Sequence, residues 1–246
     1  MGKLEGKIAL ITGGSEGIGL ATAKEFLNEG AFVFITGRRQ AALDTALATL
    51  GGNAVAIQAD AGKLNDLDRV YEEIKTKKGK LDVLFVNAGI FEYLPVSQVT
   101  EEHFDKQFDI NVKGLYFTVQ KALPLMSGGG SIVLNGSVVA SKGFAAASVY
   151  SATKAAVRSF ARTWTSDLKE TGIRVNVVSP GPILTPGFNT LTGGSQEAFD
   201  GIKARVPAGR LGEAQEIAKA AVFLASADSS FVFGTELLVD GGVTAV

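Results

Sequence analysis

Two tyrosine–lysine pairs have the same spacing in this sequence. Tyr150 stands four residues before Lys154 in VYSATKA, and Tyr71 stands four residues before Lys75 in YEEIK. Residues four apart lie on the same face of a helix, so in either pair a phenol and an ammonium group can meet. A tyrosine beside a cation is a candidate for proton transfer, which makes each pair a candidate acid–base site.

Neighbouring charges distinguish the two pairs. Tyr71 is followed by Glu72 and Glu73, whose carboxylates oppose a phenolate, and it lies on the apolar stripe of its predicted helix, so we interpret it as a packing residue. No Asp or Glu occurs from residue 110 to 166, around Tyr150. The positive charges of that stretch are Lys113, Lys121, Lys142, Lys154, Arg158 and Arg162. We expect them to lower the pKa of Tyr150, so that it alone acts as an acid near neutral pH.

A glycine-rich stretch, TGGSEGIG over residues 12–19, follows the first predicted strand and leads into a helix. Glycines let the backbone turn tightly and approach a ligand, and a helix N-terminus offers free N–H groups to a pyrophosphate. The spacing is G-x-x-x-G-x-G and not the usual G-x-G-x-x-G. We predict a dinucleotide site here; its phosphate-binding residues are Gly13, Ser15, Gly17, Ile18 and Gly19.

The end of the second strand, FITGRRQ, bears on which dinucleotide binds. A Rossmann domain that prefers NAD carries an acid at this point to bind the ribose 2′-hydroxyl, but Gly37 occupies the place and Arg38 and Arg39 follow. Arg38 could bind a 2′-phosphate, whereas Glu16 in the glycine loop would repel one unless it points to solvent. We favour NADP(H), with NAD(H) possible; the alternative is that both arginines are solvated loop charges.

Seven short, β-branched runs alternate with helical patterns. The predicted strands are Ile8–Thr12, Phe32–Thr36, Ala54–Gln58, Val83–Asn87, Ser131–Asn135, Arg174–Ser179 and Glu236–Val239. They are apolar nearly throughout, as in a parallel sheet covered on both faces. We predict an α/β fold, a doubly wound sheet with right-handed crossovers, as a single domain over residues 1–246. The long irregular segment 180–207 is predicted to contain a substrate loop at about 182–206.

Composition excludes several classes of protein. The formal net charge of −1 gives no field that would attract nucleic acid or an anionic membrane, and the absence of cysteine excludes disulfides and thiolate metal sites. There is no apolar signal core or membrane-length apolar run, so we expect a cytoplasmic protein. The one histidine, His103, lies in TEEHFDK and is interpreted as a solvated helix residue with no metal or catalytic role.

Seven short motifs in this order resemble the short-chain dehydrogenase/reductase family. They are TGGSEGIG, NAG at 87–89, NVKG at 111–114, GS at 136–137, YSATK at 150–154, SPGPILT at 179–185 and VDGG at 239–242. The resemblance covers essentially the whole chain. It implies a single Rossmann-like domain with a seven-stranded parallel sheet, and it accounts for the glycine spacing.

The resemblance also implies residue roles. Tyr150 would donate a proton to a carbonyl or take one from an alcohol, while Lys154 would lower its pKa and hold the nicotinamide ribose. Ser137 would bind the substrate oxygen, and Asn111 would support a water that passes protons through Lys154. Alternatively, Ser137 closes a turn and Asn111 kinks its helix. The further cofactor contacts that it implies are Asp60, Ala61, Asn87, Ala88, Gly89, Pro180, Gly181, Ile183 and Thr185.

Apolar residues should surround the substrate. They follow strand four (Phe91, Tyr93, Leu94), follow strand five (Val138, Val139, Phe144) or lie in the long loop (Leu184, Phe188, Leu191, Phe199). The expected substrate is therefore a hydrophobic or aryl ketone, or the corresponding secondary alcohol. The helix of Tyr150 is apolar on more than one side, which together with the resemblance predicts a homotetramer.

Two other functions stay open. A 3-oxoacyl-[acyl-carrier-protein] reductase would need a basic docking surface beside the pocket, for which Arg158 and Arg162 are candidates. A non-catalytic protein that senses NAD(P) is the other, and it is less favoured because Tyr150 and Lys154 are both present.

Overall fold

The chain folds around a seven-stranded parallel sheet. The structure, a computed structural model, describes residues 2–126 and 128–246 and, for residue 191, only the backbone. The strands are β1 Ile8–Ile11, β2 Phe32–Gly37, β3 Ala54–Gln58, β4 Val83–Val86, β5 Ser131–Asn135, β6 Arg174–Pro180, β7 Ile183–Leu184, β8 Gly212–Glu213 and β9 Glu236–Val239. The main sheet has the order β3-β2-β1-β4-β5-β6-β9, and β7 pairs with β8 in a separate two-stranded sheet. The predicted fold class and its seven strands are confirmed, with each strand end within one residue of the prediction.

Helices cover both faces of the sheet. They are α1 Gly17–Asn28, α2 Gln40–Leu50, α3 Leu64–Lys78, α4 Glu101–Phe108, α5 Leu115–Ala122, α6 Ser148–Asp167, α7 Pro186–Leu191, α8 Gln196–Lys203 and α9 Ala214–Ala225. A π-helical segment, Asp109–Gly114, joins α4 to α5. In the described parts of the chain, no helix combines the length and apolar character that crossing a membrane requires.

The two faces of the sheet form two separate hydrophobic cores. Helices α1, α2 and α9 pack on one face, and α3, α5 and α6 pack on the other. Successive strand residues point into opposite cores. The fully buried Leu10 packs against α3, α5 and α6, and its neighbour Ile11 packs against α1, α2 and α9. Both side-chain directions are therefore buried, which explains why the strands are continuously apolar.

The segment 180–207 is more ordered than the sequence analysis predicted. It contains β7, α7 and α8. Thr185 accepts a hydrogen bond from the Phe188 N–H at 3.1 Å, with Pro186 as the first helical residue, and Ser195 accepts one from the Ala198 N–H at 3.3 Å. These side chains satisfy N–H groups that a helix start would otherwise leave free, so both helices are capped locally.

His103 is another correction. Its side chain is partly buried, since Nε2 lies 3.3 Å from the Glu92 carbonyl oxygen, and Nδ1 is buried without a partner among the described residues. The ring is held there because α4 packs against the segment that follows β4. Its sequence neighbours are charged, but the ring itself faces the protein.

Candidate active site

A cleft of about 590 Å³ opens at the carboxyl ends of the central strands. Ligands of open α/β sheets bind at this edge, where the strand order reverses between β1 and β4. All but two of the predicted site residues line it. They are Gly13, Ser15, Gly17, Ile18, Arg38, Arg39, Asp60, Ala61, Asn87, Ala88, Gly89, Ser137, Tyr150, Lys154, Pro180, Gly181, Ile183 and Thr185. Gly19 and Asn111 lie behind its wall.

The glycine loop packs closely against the strand ends and leaves the start of α1 uncapped. Gly13 has a φ of +64°, and a Cβ there would lie 3.0 Å from Asn87 Nδ2. A Cβ on Gly19 would lie 2.1 Å from the Gly13 carbonyl oxygen, so no side chain fits. No described side chain caps the N-terminus of α1, which begins at Gly17. Its first N–H groups therefore remain available, as binding a dinucleotide pyrophosphate requires.

Three strand ends are joined by a polar network beneath this loop. Thr12 Oγ1 accepts hydrogen bonds from the N–H groups of Asn87 and Ala88, each at 3.0 Å. Asn87 Nδ2 donates to the carbonyl oxygens of Thr12 and Gly13 at 3.1 Å, and its Oδ1 accepts from Asn135 Nδ2 at 2.9 Å. The network fixes the ends of β1, β4 and β5 relative to one another. Asn87 therefore has a positioning role that no single motif revealed.

Lys154 is a buried lysine that is hydrogen-bonded to Asn135, a member of this polar network. It lies on α6, and its Nζ donates a 2.8 Å hydrogen bond to the carbonyl oxygen of Asn135. Burial lowers the pKa of Lys154 to about 8, because a charged amine loses its hydration there. The ammonium group lies 5.7 Å from the centroid of the Tyr150 ring, one helical turn away.

The pKa of Tyr150 departs from the expectation of a lowered value. Burial raises it above the usual value of a phenol, the nearby Tyr93 phenol raises it further, and a hydrogen bond with Ser137 opposes both. Several cations near Tyr150 in sequence are paired with carboxylates from elsewhere: Lys113 with Asp109, Lys121 with Asp68 and Arg158 with Glu236. Carboxylates therefore neutralise three of the six cations, and the raised pKa keeps Tyr150 protonated at neutral pH.

Ser137 lies directly after β5, beside Tyr150. Its Oγ accepts a 3.4 Å hydrogen bond from the Val139 N–H and so begins a short 3₁₀ turn, Val138–Ala140. Ser137 thus does close a turn, as the alternative interpretation expected, and it also lines the cleft.

Asn111 lies in the π-helical segment and is 2% exposed. Its carboxamide exchanges two 2.8 Å hydrogen bonds with the backbone of Ile90, and its Nδ2 also donates to Thr153 Oγ1 at 3.2 Å. The side chain therefore ties the segment after β4 to α6. It has no described contact with Lys154, so the structure gives the Asn111 side chain a positioning role between the two walls of the site.

The second tyrosine–lysine pair lies away from the cleft. Tyr71 is buried, its hydroxyl donates to the Thr118 carbonyl oxygen, and burial raises its pKa. Lys75 is exposed on the same helix. Tyr71 is therefore a packing residue, as its position on the apolar stripe predicts.

Near the end of β2, where the adenosine is expected to bind, two of the three predicted charged residues form an ion pair. Arg39 Nη2 donates to Glu16 Oε2 at 2.8 Å. The side chain of Arg38 forms no ion pair with any residue that the structure describes. Asp60 Oδ1 accepts a 3.0 Å hydrogen bond from the Gly62 N–H, which holds its carboxylate at the cleft edge.

The substrate end of the cleft differs in part from the prediction. Phe91, Tyr93, Val138, Val139, Phe144 and Phe188 line it, whereas Leu94, Leu184 and Phe199 do not. The side chain of Leu191 lies outside the described residues. The cleft is also lined by residues that the sequence did not indicate, among them Asn135, Ile202, Arg205, Val206 and Val243. For Asn135 a signal existed, since it is a polar residue at the end of an apolar strand; the others reach the cleft only through the fold.

Comparison with known proteins identifies the family. A family model described as enoyl-(acyl carrier protein) reductase matches residues 13–244. The chain belongs to the short-chain dehydrogenase/reductase family, whose members are oxidoreductases that use NAD(P)(H), and it is an enzyme of the carbonyl–alcohol type.

Relatives match over nearly their full length. The oxidoreductase asL5 of Sarocladium schorii is 46% identical, with 99% of this chain and 98% of the relative covered. The NADP-dependent (R)-specific alcohol dehydrogenase of Lentilactobacillus kefiri is 35% identical over 99% of this chain and 98% of its own length. A solved short-chain dehydrogenase/reductase family protein superposes with a TM-score of 0.90 at 41% identity, covering 99% of this chain and all of the other.

Proposed function

We propose that the protein reduces a hydrophobic or aryl ketone to a secondary alcohol, with NADPH as the reductant. The observation that carries this is the convergence of Ser137, Tyr150 and Lys154 in the same cleft as the glycine loop. Tyr150 is protonated at neutral pH, so the phenol can serve as the proton donor that ketone reduction needs.

The chain's own residues bind and protonate the carbonyl. The Ser137 and Tyr150 hydroxyls hold the ketone oxygen, which polarises the carbonyl and fixes its carbon. When bound, the reduced nicotinamide supplies a hydride to that carbon. Tyr150 gives its proton to the carbonyl oxygen, which completes the alcohol and leaves a phenolate. Lys154, largely protonated at pH 7 because its pKa is about 8, stabilises the phenolate and can return a proton.

The residues that would hold the dinucleotide fit it along the length of the cleft. The free N–H groups at the start of α1 suit the pyrophosphate, and the Thr12–Asn87–Asn135 network keeps the floor rigid. Arg38, at the adenosine end, would bind a 2′-phosphate, since Glu16 is already neutralised by Arg39. This supports NADPH over NADH.

The walls near Tyr150 support an apolar, ring-bearing substrate. Phe91 and Tyr93 lie 6.0 and 6.1 Å from the Tyr150 ring, centroid to centroid, and Phe188 lines the same end of the cleft. Rings at these distances attract another aromatic group through edge and offset contacts.

A carrier-protein substrate is less well supported. Arg158 is held by the Glu236 carboxylate at 2.7 Å and donates to Ser141 at 3.2 Å, which leaves it less able to dock an acidic partner. Arg162 is exposed and is the candidate that remains.

A cytoplasmic homotetramer remains our expectation for the assembly. The support is an aromatic group on α5 and α6 that the monomer only partly covers: Tyr116 is 37% exposed and packs edge-on against Phe160 and Trp164. A light-scattering mass near one subunit at micromolar concentration would contradict this assembly.

The reaction is tested by following absorbance loss at the reduced nicotinamide band with aryl, alkyl and acyl-thioester ketones, with NADPH and NADH in parallel. Tyr150→Phe should lower the rate at least a hundredfold, the usual contribution of a positioned acid. Tyr71→Phe is the matched control, because it changes the other tyrosine of the same spacing, and it should retain the rate. Equal rates for the two variants would overturn the proposal.

A further inference from the structure

Tyr93 is a second phenol beside the proposed proton donor. It belongs to the segment that follows β4, is half-buried and lines the cleft. Its ring centroid is 6.1 Å from that of Tyr150 and 6.5 Å from that of Phe91, while Phe91 lies 6.0 Å from Tyr150. The three rings therefore form a triangle at the mouth of the carbonyl site.

Phe91 packs in the same wall of the cleft as Tyr93 but has no hydroxyl group. Its ring closes one side of the triangle and lies against Gly187 at the start of α7, where an added Cβ would be 3.2 Å from the ring. Phe144 and Phe188 line the same end of the cleft. A phenylalanine at position 93 would form the same apolar surface, so the hydroxyl of Tyr93 is the feature that packing does not explain.

That hydroxyl is available to a ligand. It forms no hydrogen bond with any of the residues that the structure describes. Gln107 and Asn111, in contrast, are hydrogen-bonded to the backbone of Glu92 and Ile90 in the same segment. The hydroxyl is not closed off inside the protein, and a tyrosine in a cleft commonly binds a ligand through its O–H. Burial raises the pKa of Tyr93, so it remains a donor at neutral pH.

We propose that Tyr93 determines specificity by donating a hydrogen bond to a second oxygen of the substrate, near the carbonyl held by Ser137 and Tyr150. The ligand class is a ketone with an oxygen acceptor on its β carbon, such as an aryl β-keto ester. Two phenols whose ring centroids are 6.1 Å apart present two separate donors, so a substrate with two oxygens close together can use both. The inference rests on the proposed ketone reduction and adds a requirement to it.

Two ketones of equal chain length separate the effects. Ethyl benzoylacetate carries the second carbonyl, and hexanophenone replaces the ester group with methylene groups. Tyr93→Phe should lower kcat/KM for ethyl benzoylacetate about tenfold, the effect of one hydrogen bond between neutral groups, chiefly through KM. It should change kcat/KM for hexanophenone less than twofold. The KM for NADPH and the melting temperature should be unchanged.

A matched variant tests the wall itself. Phe91→Leu removes a neighbouring ring and should reduce kcat/KM for both ketones by similar factors. If Tyr93→Phe also affects the two ketones equally, or affects neither, Tyr93 is only a wall residue and the inference is wrong while the proposed reduction stands. If the unaltered enzyme reduces neither ketone, the proposed function for aryl ketones is wrong and the inference falls with it.

Discussion

Arg39 and Glu16 form an ion pair of 2.8 Å that joins the end of β2 to the glycine loop. From the sequence alone, Arg38 favoured NADP(H) and Glu16 disfavoured it, because a carboxylate in the phosphate-binding loop would repel a 2′-phosphate. In the folded chain that carboxylate is neutralised by the second arginine. Of the two neighbouring arginines, Arg39 is engaged by Glu16, and Arg38 forms no ion pair with any residue that the structure describes.

Changing Arg38 should alter cofactor preference. Because a hydrogen bond to a charged group contributes about 1.5 to 3 kcal/mol, Arg38→Ala should lower kcat/KM for NADPH between about tenfold and a hundredfold. The value for NADH should change little, since NADH has no 2′-phosphate. Initial rates with both cofactors measure the ratio. Arg162→Ala, an exposed arginine on α6, is the control. Equal losses with both cofactors would contradict the role of Arg38.

Lys154 should make stability depend on pH in a specific range. Its pKa is about 8 in the folded chain against 10.5 for an ordinary lysine. Between these values the unfolded chain binds a proton that the folded chain lacks, so raising the pH from 8 to 10.5 stabilises the fold. The accumulated effect is about 3 kcal/mol.

Lys154→Met isolates this contribution. The variant has no ammonium group to bury, so its free energy of unfolding should lack that rise with pH. The difference should be clearest below about pH 9.5, before Tyr150 begins to ionise in the unfolded chain. Urea unfolding of the cofactor-free proteins at pH 7.5, 9 and 10.5 measures the difference. Parallel stability curves would show that burial of Lys154 does not disfavour its charge.

The central strands β1, β4, β5 and β6 were predictable because they are buried almost throughout and mainly apolar. The edge strands β3 and β9 are only partly buried, but each still carries a short run of apolar residues. The helices α7 and α8 were not predicted, because α7 and the residues between the two helices are rich in Gly and Thr, as in a loop. The Thr185–Pro186 start of α7 was the available signal. The pKa of Tyr150 was mispredicted chiefly because the fold buries the phenol, which its polar sequence neighbours did not indicate. In addition, three of the nearby cations are paired with carboxylates, Glu236 among them. Val243 reaches the cleft only because β9 returns the chain to the edge of the sheet that binds the ligand.

Lys142 should help fix the width of the substrate end. Its Nζ donates to the carbonyl oxygens of Val243 and Val246 at 2.7 and 2.6 Å. It thereby joins the loop that carries Phe144 to the segment that carries Val243, and both of these side chains line the cleft. Without this connection the two walls can separate.

Lys142→Met keeps the length of the side chain but removes its donor. We expect the KM for the ketone to rise about threefold to tenfold, the effect of losing one or two hydrogen bonds, while the KM for NADPH stays the same. Lys142→Arg should largely restore the ketone KM, and Lys169→Met, an exposed lysine beyond α6, should leave it unchanged. A rise in both KM values would instead indicate a general loss of structure.

Arg158 should contribute to stability more than to catalysis. Its partner Glu236 has a side chain only 8% exposed, and that carboxylate also accepts a 2.7 Å hydrogen bond from Ser179. Arg158→Met would leave a buried negative charge without its cation, which we expect to cost about 2 kcal/mol, less than for a fully buried pair because Arg158 is 41% exposed. Adding Glu236→Gln removes the unpaired charge and should recover part of the lost free energy of unfolding, measured in urea.

Rates on simple ketones should persist in both variants, because Arg158 does not line the cleft. If Arg158→Met is as stable as the unaltered protein, the pair with Glu236 does not hold Arg158 in place. Arg158 would then again be a candidate for docking an acidic carrier protein.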